Sequence, residues 1–231
     1  MSKFAVVTGA SRGIGFEICT TLASKEHHVM GVARSQDKLA TLEEQYPEYI
    51  YTMPVDLTDE QAVAKLTKRI EEYKNGVDII INNAGALINK SFSELSLSDW
   101  RAQIESNLIT AVNLTQQLLP SLNESAHIVN ISSMGGFQGS AKFPGLAAYS
   151  VSKGALSTLT ECLAVELSDQ NIKANALCLG AVQTEMLEQA FPGIEAPVSA
   201  KKMGDYIADF ALNGSELYNG KILPVALEDP E

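Results

Sequence analysis

Short apolar runs recur along the chain, and each leads into a turn and then into residues at helical spacing. Residues 3–8 (Lys-Phe-Ala-Val-Val-Thr), 29–33, 50–55, 77–81 (Val-Asp-Ile-Ile-Ile), 127–131 and 172–178 read this way, and residues 220–226 form a last short run. A strand without polar alternation is covered on both faces. Strands joined through helices, rather than through tight hairpins, pair in parallel. Right-handed crossovers then leave few topologies. The pattern predicts an α/β fold: a doubly wound parallel sheet of about seven strands with helices on both faces.

At 231 residues, 45% hydrophobic and 19% charged, the chain can form one domain with a large core over residues 1–231. The formal charge of −11 argues against a nucleic-acid or anionic-membrane surface. No apolar run approaches a membrane span and no secretory leader is evident, so a cytoplasmic location is expected. Cys19, Cys162 and Cys178 lie far apart within apolar patterns. They are expected to be core thiols, with no metal site and no disulfide framework.

Ligands of such sheets bind beyond the carboxyl ends of the strands. The first strand runs into Gly9-Ala10-Ser11-Arg12-Gly13-Ile14-Gly15 and a helix from about residue 16 to 24. Strand, glycine turn and helix together suit a pyrophosphate at a helix N-terminus, although the same turn could be only a tight connection. The spacing is Gly-x-x-x-Gly-x-Gly, not the general Gly-x-Gly-x-x-Gly. The second strand ends at Ala33-Arg34 without a carboxylate. An Asp or Glu there would hold a ribose 2′-hydroxyl, whereas Arg34 together with Arg12 suits a 2′-phosphate and so NADP. The bland alternative is two solvated arginines. Asp56-Leu57 ends the third strand, where Asp56 either accepts from an adenine amino group or precedes the helix of residues 59–73 as a cap. Asn82-Asn83-Ala84-Gly85 ends the fourth, Ser132-Ser133 the fifth, and Val182-Gln183-Thr184 follows the sixth. All belong to one rim.

Residues 149–167 read as a helix, with Tyr149 and Lys153 four apart on one face. A phenol beside a fixed ammonium is expected to have a lowered pKa, useful for acid–base work. A long helix over residues 98–119 carries Asn107 near its middle, where asparagine lacks helix propensity and needs a packing or functional reason. Residues 134–146 read as a loop beside the site, residues 185–197 have weak periodicity, and residues 199–212 look helical. The tail, residues 228–231, is expected to fray.

Residues 8–15, Asn82-Asn83-Ala84-Gly85, and Asn107, Ser133, Tyr149 and Lys153 in that order resemble the motifs of the short-chain dehydrogenase/reductase family, over about residues 3–184. The resemblance implies a Rossmann-like domain whose nicotinamide cofactor, here NADPH, contacts Gly9, Ser11, Arg12, Gly13, Ile14, Gly15, Arg34, Asp56, Leu57, Asn83, Ala84, Gly85, Tyr149, Lys153, Val182 and Thr184. It implies a catalytic tetrad of Asn107, Ser133, Tyr149 and Lys153. Tyr149 would be the general acid or base, and Ser133 would hydrogen-bond the substrate oxygen. Lys153 would lower the Tyr149 pKa and bind the ribose, and Asn107 would hold a water connecting Lys153 to solvent. Of the adjacent serines, which point to opposite sides of a strand, family alignment favours Ser133. It further implies a homodimer or homotetramer, with the Asn107 and Tyr149 helices as interface candidates, and a short substrate-covering segment at about residues 185–212.

Three departures stand out. Leu179-Gly180 replaces the usual Pro-Gly, the loop before Tyr149 is longer than usual, and residues 220–225 lack the frequent Asp-Gly-Gly ending. The expected activity is NADPH-dependent reduction of a small ketone or aldehyde. A β-ketoacyl thioester (acyl-carrier-protein) reductase is the alternative, with Lys201-Lys202 as its sole basic cluster at the mouth, and a non-catalytic cofactor sensor is the rival from another class. Phe137, Phe143, Leu146, Leu179, Met186 and Phe191 are candidates for an apolar substrate pocket, each equally a core candidate.

Overall fold

A computed structural model of the protein describes residues 1–72 and 76–227. The sheet strands are β1 (Phe4–Thr8), β2 (His28–Ala33), β3 (Ile50–Pro54), β4 (Val77–Asn82), β5 (Leu122–Ser133), β6 (Lys173–Leu179) and, after the short strands β7 (Val182–Gln183) and β8 (Val198–Ser199), β9 (Ile222–Val225). Their order is β3-β2-β1-β4-β5-β6-β9, and every pairing is parallel. The helices are α1 (Gly13–Ser24), α2 (Gln36–Gln45), α3 (Glu60–Glu72), α4 (Leu97–Ile104), α5 (Thr110–Leu118), α6 (Ala147–Glu166), α7 (Glu185–Ala190) and α8 (Ala200–Asn213).

Side chains alternate across a strand, so each strand feeds two cores. Ala5 and Val7 of β1 pack with Ile18 and Leu22 of α1, Leu39 and Leu42 of α2 and Ile207 of α8. Phe4 and Val6 pack on the opposite face with Val63 and Leu66 of α3 and Leu114 and Leu118 of α5. This is the doubly wound arrangement that unbroken apolar strands require. The order reverses direction between β1 and β4, and such a switch point leaves a crevice at the strand ends.

Several elements differ from the sequence expectation. The long helix over residues 98–119 is divided by a π turn at Glu105–Ile109, centred on Asn107. Ser106 and Thr110 hydroxyls donate to the carbonyls of Ala102 (2.8 Å) and Ser106 (2.9 Å), bonds that compete with regular helix geometry. The fifth strand begins at Leu122, not residue 127, because Leu122 pairs with Val77 across a register shift that the apolar run cannot reveal. The weak stretch after Thr184 contains α7 and the strand β8, which pairs with β7. Helix α1 starts at Gly13, within the glycine turn. Cys19 and Cys178 are buried, but Cys162 is exposed on α6 and is not a core thiol. No described helix is long and apolar enough to cross a membrane. The expected helix end at Tyr73 and the tail at residues 228–231 lie outside the described residues.

His127 at the start of β5 is 1% exposed. Its Nδ1 faces the Ala211 carbonyl at 3.0 Å and its Nε2 faces the Asn175 side-chain amide at 3.0 Å, a pairing that fits a neutral ring with the proton on Nδ1. Burial pushes its pKa down to about 4. An unfolded histidine titrates near 6.5, so below that pH the unfolded chain binds the proton that the folded chain refuses. Stability is expected to fall by about 3 kcal/mol as pH drops from about 6.5 to about 4. Urea midpoints across that range read the slope, and His127→Gln should flatten it.

Candidate active site

The rim begins where β1 meets β4. The Thr8 hydroxyl oxygen accepts from the N–H groups of Asn83 (2.9 Å) and Ala84 (2.8 Å), while the Asn83 side-chain amide donates to the Thr8 carbonyl (2.9 Å). Glycine is needed for this approach. A Cβ on Gly15 would lie 2.3 Å from the Gly9 carbonyl oxygen, and one on Gly9 2.9 Å from Asn83 Nδ2. Gly9 (φ +68°) and Gly13 (φ +55°) also adopt the left-handed backbone that favours glycine. No side chain caps α1, so its first-turn N–H groups have no side-chain acceptor. A bare cradle at a helix N-terminus is chemically matched to phosphate oxygens. Ser11 and Gly13 stand half-buried along it, and Ile14 turns its side chain into the core. Thr8 was not among the expected site residues; its signal is a lone hydroxyl ending an apolar strand.

Arg12 and Arg34 line one cavity of about 300 Å³, with Gly85, Ala86, Met186, Gln189 and Ala190 among its other walls. Arg12 is ion-paired with Glu185 at the start of α7, and Lys38 lies 3.8 Å from the same carboxylate. Asp56 is exposed, and its Oδ1 accepts from the N–H (3.0 Å) and hydroxyl (2.8 Å) of Thr58. Those bonds hold its pKa below the usual range, with Arg34 a smaller influence. The cap of α3 is Asp59, which accepts from Gln61 and Ala62 N–H groups. Leu57 is buried, and its carbonyl accepts from Asn113. Val182 sits in the core, and Thr184 caps α7 by accepting from the Leu187 N–H at 3.3 Å.

The second half of the site is built on α4, the π turn and α6. Asn107 is 1% exposed; its Oδ1 accepts from the Ala86 N–H (2.8 Å), and its Nδ2 donates to the Ala86 carbonyl (3.0 Å) and the Ser152 hydroxyl (2.9 Å). Ser152 in turn donates to the Tyr149 carbonyl (2.7 Å). Gln103, one helical turn earlier, also donates to Ala86 (3.1 Å). Neither Gln103 nor Ser152 was anticipated, since a buried amide and hydroxyl inside helical patterns carry no distinguishing signal. Gly85 makes room for the group: a Cβ there would meet Asn107 Oδ1 at 2.7 Å and Lys153 Nζ at 3.4 Å.

The two serines divide as the alternation of a strand requires. Ser132 is buried and donates to the Lys153 carbonyl (2.9 Å), whereas Ser133 reaches the Tyr149 phenol. Lys153 Nζ donates to the Ile131 carbonyl (2.8 Å). The expected fall in the Tyr149 pKa is not what this geometry produces. Burial raises it, and the hydrogen bond with Ser133 opposes the rise only in part. Burial also lowers Lys153 to about 8. Desolvation disfavours the charged form of each group, and it is the largest influence on both.

Of the pocket candidates, Met186 lines the cavity, Leu146 and Leu179 are buried, Phe143 is exposed, and Phe137 and Phe191 are half-buried. Leu179 continues the ladder with Val225, and the Gly180 N–H donates to the Val225 carbonyl (3.0 Å), so backbone pairing holds the turn where a proline is usual. Lys201 pairs with Asp205 at 2.5 Å on the exposed face of α8.

Asn107 is the acceptor for the Ala86 N–H, so Asn107→Ala leaves that donor unpaired, while Gln103 still donates to the Ala86 carbonyl. The expected cost is about 1–3 kcal/mol, read as a lower urea midpoint. Asn107→Asp, which keeps the acceptor but not the paired donors, should recover only part of it.

The model of the short chain dehydrogenase family matches residues 3–195. An uncharacterized oxidoreductase of Staphylococcus aureus (strain N315) is 32% identical over 185 residues, 79% of each chain. An oxidoreductase of Botryotinia fuckeliana (strain B05.10) is 31% identical over 205 residues, 87% of this chain and 74% of its own. Among solved structures, a mutant short-chain dehydrogenase/reductase of Serratia marcescens superposes with a TM-score of 0.87 at 25% identity, covering 97% of this chain and 96% of that one. The chain belongs to the short-chain dehydrogenase/reductase family, whose members use nicotinamide cofactors on small molecules, and it is an oxidoreductase of that family.

Proposed function

We propose that the protein is an NADPH-dependent reductase of a small ketone or aldehyde, working reversibly with Tyr149 as general acid or base. The observation that carries this reading is the meeting of the Tyr149 phenol with the Ser133 hydroxyl, beside Lys153, Gly85 and Asn107. The residues present fit the cofactor: a glycine cradle at an uncapped helix start suits a pyrophosphate, and Arg12 and Arg34 on one cavity suit a 2′-phosphate. The nicotinamide, when bound, supplies or takes up the hydride.

The chain's own groups handle the proton. With its pKa raised by burial, Tyr149 holds its proton at neutral pH, the state required of an acid that protonates a carbonyl oxygen. Ser133 donates to the same oxygen and stabilises the charge that develops there. Lys153, titrating near 8, is mainly charged at pH 7 and stabilises the phenolate left behind. Both Nδ2 protons of Asn107 are engaged, so a water relaying protons to Lys153 would bond to the spare lone pair of Oδ1. The pairing of Lys201 with Asp205 leaves no observation that favours a carrier-protein substrate.

Tyr149→Phe should lower turnover of NADPH with a panel of small carbonyls by about 10²-fold or more, with NADPH affinity unchanged. Undiminished turnover would overturn the acid–base role. In fluorescence titrations NADPH should bind more tightly than NADH, and Arg34→Ala should narrow the gap.

A homodimer or homotetramer is part of this reading. Ile109 in the π turn and Val151 and Val165 on α6 are 39%, 53% and 74% exposed, which supports an interface on these helices. Light scattering should give a mass of two or four chains, and Val165→Glu should reduce it.

A further inference from the structure

Glu185 joins the covering helix to the cofactor rim. It is the first residue of α7, whose Met186, Gln189 and Ala190 form one wall of the cavity lined elsewhere by Arg12 and Arg34. One carboxylate oxygen is paired with the Arg12 guanidinium, and the other lies 3.8 Å from the Lys38 ammonium. Arg12 and then Lys38 hold the Glu185 carboxyl below the usual range. The side chains of Arg12, Lys38 and Glu185 are 44%, 50% and 56% exposed, so the cluster stands in water and its pairs are exchangeable.

A guanidinium presents five coplanar N–H donors, and a carboxylate and a phosphate both match their spacing. If a phosphate binds Arg12, Glu185 must either leave or remain as a like charge a few ångströms away. Either outcome weakens phosphate binding. A ligand without that phosphate leaves the pairing undisturbed.

We propose that Glu185 is a specificity-determining residue, an internal carboxylate that competes with the cofactor's 2′-phosphate for Arg12 and Lys38 and so narrows the preference for NADPH over NADH. The inference rests on the reading of Arg12 and Arg34 as the phosphate clamp. It also gives Lys38 a place at the rim that the motif pattern does not mark, and it couples α7 to the phosphate end of the cofactor: NADPH frees Glu185 from the glycine turn, and NADH does not.

Calorimetric titration of the full-length wild type and Glu185→Gln with NADPH, NADH, adenosine 2′,5′-bisphosphate and adenosine 5′-monophosphate tests this without recourse to activity. Glu185→Gln should bind NADPH and the bisphosphate about fivefold more tightly, with the other two ligands changed less than about twofold. The gain should shrink at high salt, and it should largely vanish in an Arg12→Ala background, as a shared partner requires. A wild-type preference for NADPH that Glu185→Gln leaves unaltered, or an equal gain for NADH, would overturn the competition while sparing the clamp. Equal affinity for NADPH and NADH in both the wild type and Glu185→Gln would remove the clamp itself and the inference with it.

Discussion

The whole rim depends on one close approach between chain segments, which the missing side chains of two glycines permit. Gly9 and Gly15 bring the turn after β1 against Asn83 and Ala84 at the end of β4, across the switch point of the sheet. Thr8 fastens the contact with its hydroxyl and carbonyl. Gly85 extends the same logic by one step, leaving the space in which Asn107 Oδ1 and Lys153 Nζ come close. A methyl group at any of these glycines would collide with backbone or with a polar atom of the site.

Electrostatics in this enclosure follow burial more than pairing. Tyr149 and Lys153 occupy one helix face, and on a solvated helix the lysine would be expected to favour the phenolate. At the end of β5 both groups lose water, so the phenol's pKa rises and the ammonium's falls to about 8. The Ile131 carbonyl and the Ser133 hydroxyl set their orientations.

The part of the rim around Arg12 is a local exception to a chain of formal charge −11. Arg12, Arg34 and Lys38 gather there, and α7 returns a carboxylate to them through Glu185. Helix α7 is therefore bound to the rim by charge as well as by the contact of Met186 with the cavity. Family membership supplies the oxidoreductase class, and this chain's own residues supply the particular balance of cations and carboxylate.

How much could be read beforehand differs by kind of feature. Apolar runs without alternation determined the parallel sheet and its two helical layers, because burial on both faces leaves an unbroken apolar run visible in one dimension. The motif residues at strand ends were legible for the same reason: a strand delivers its last residue to the rim wherever the crossover goes. Only the tertiary structure decided the π turn at Asn107, the start of β5 at Leu122, the exposure of Cys162 and the pairing of Arg12 with Glu185. Each depends on partners far away in sequence, such as Ala86 for Asn107 and Val77 for Leu122. The upward shift of the Tyr149 pKa has the same origin. Helical spacing places a lysine beside a tyrosine, but how much water either group keeps depends on what the rest of the fold packs around them.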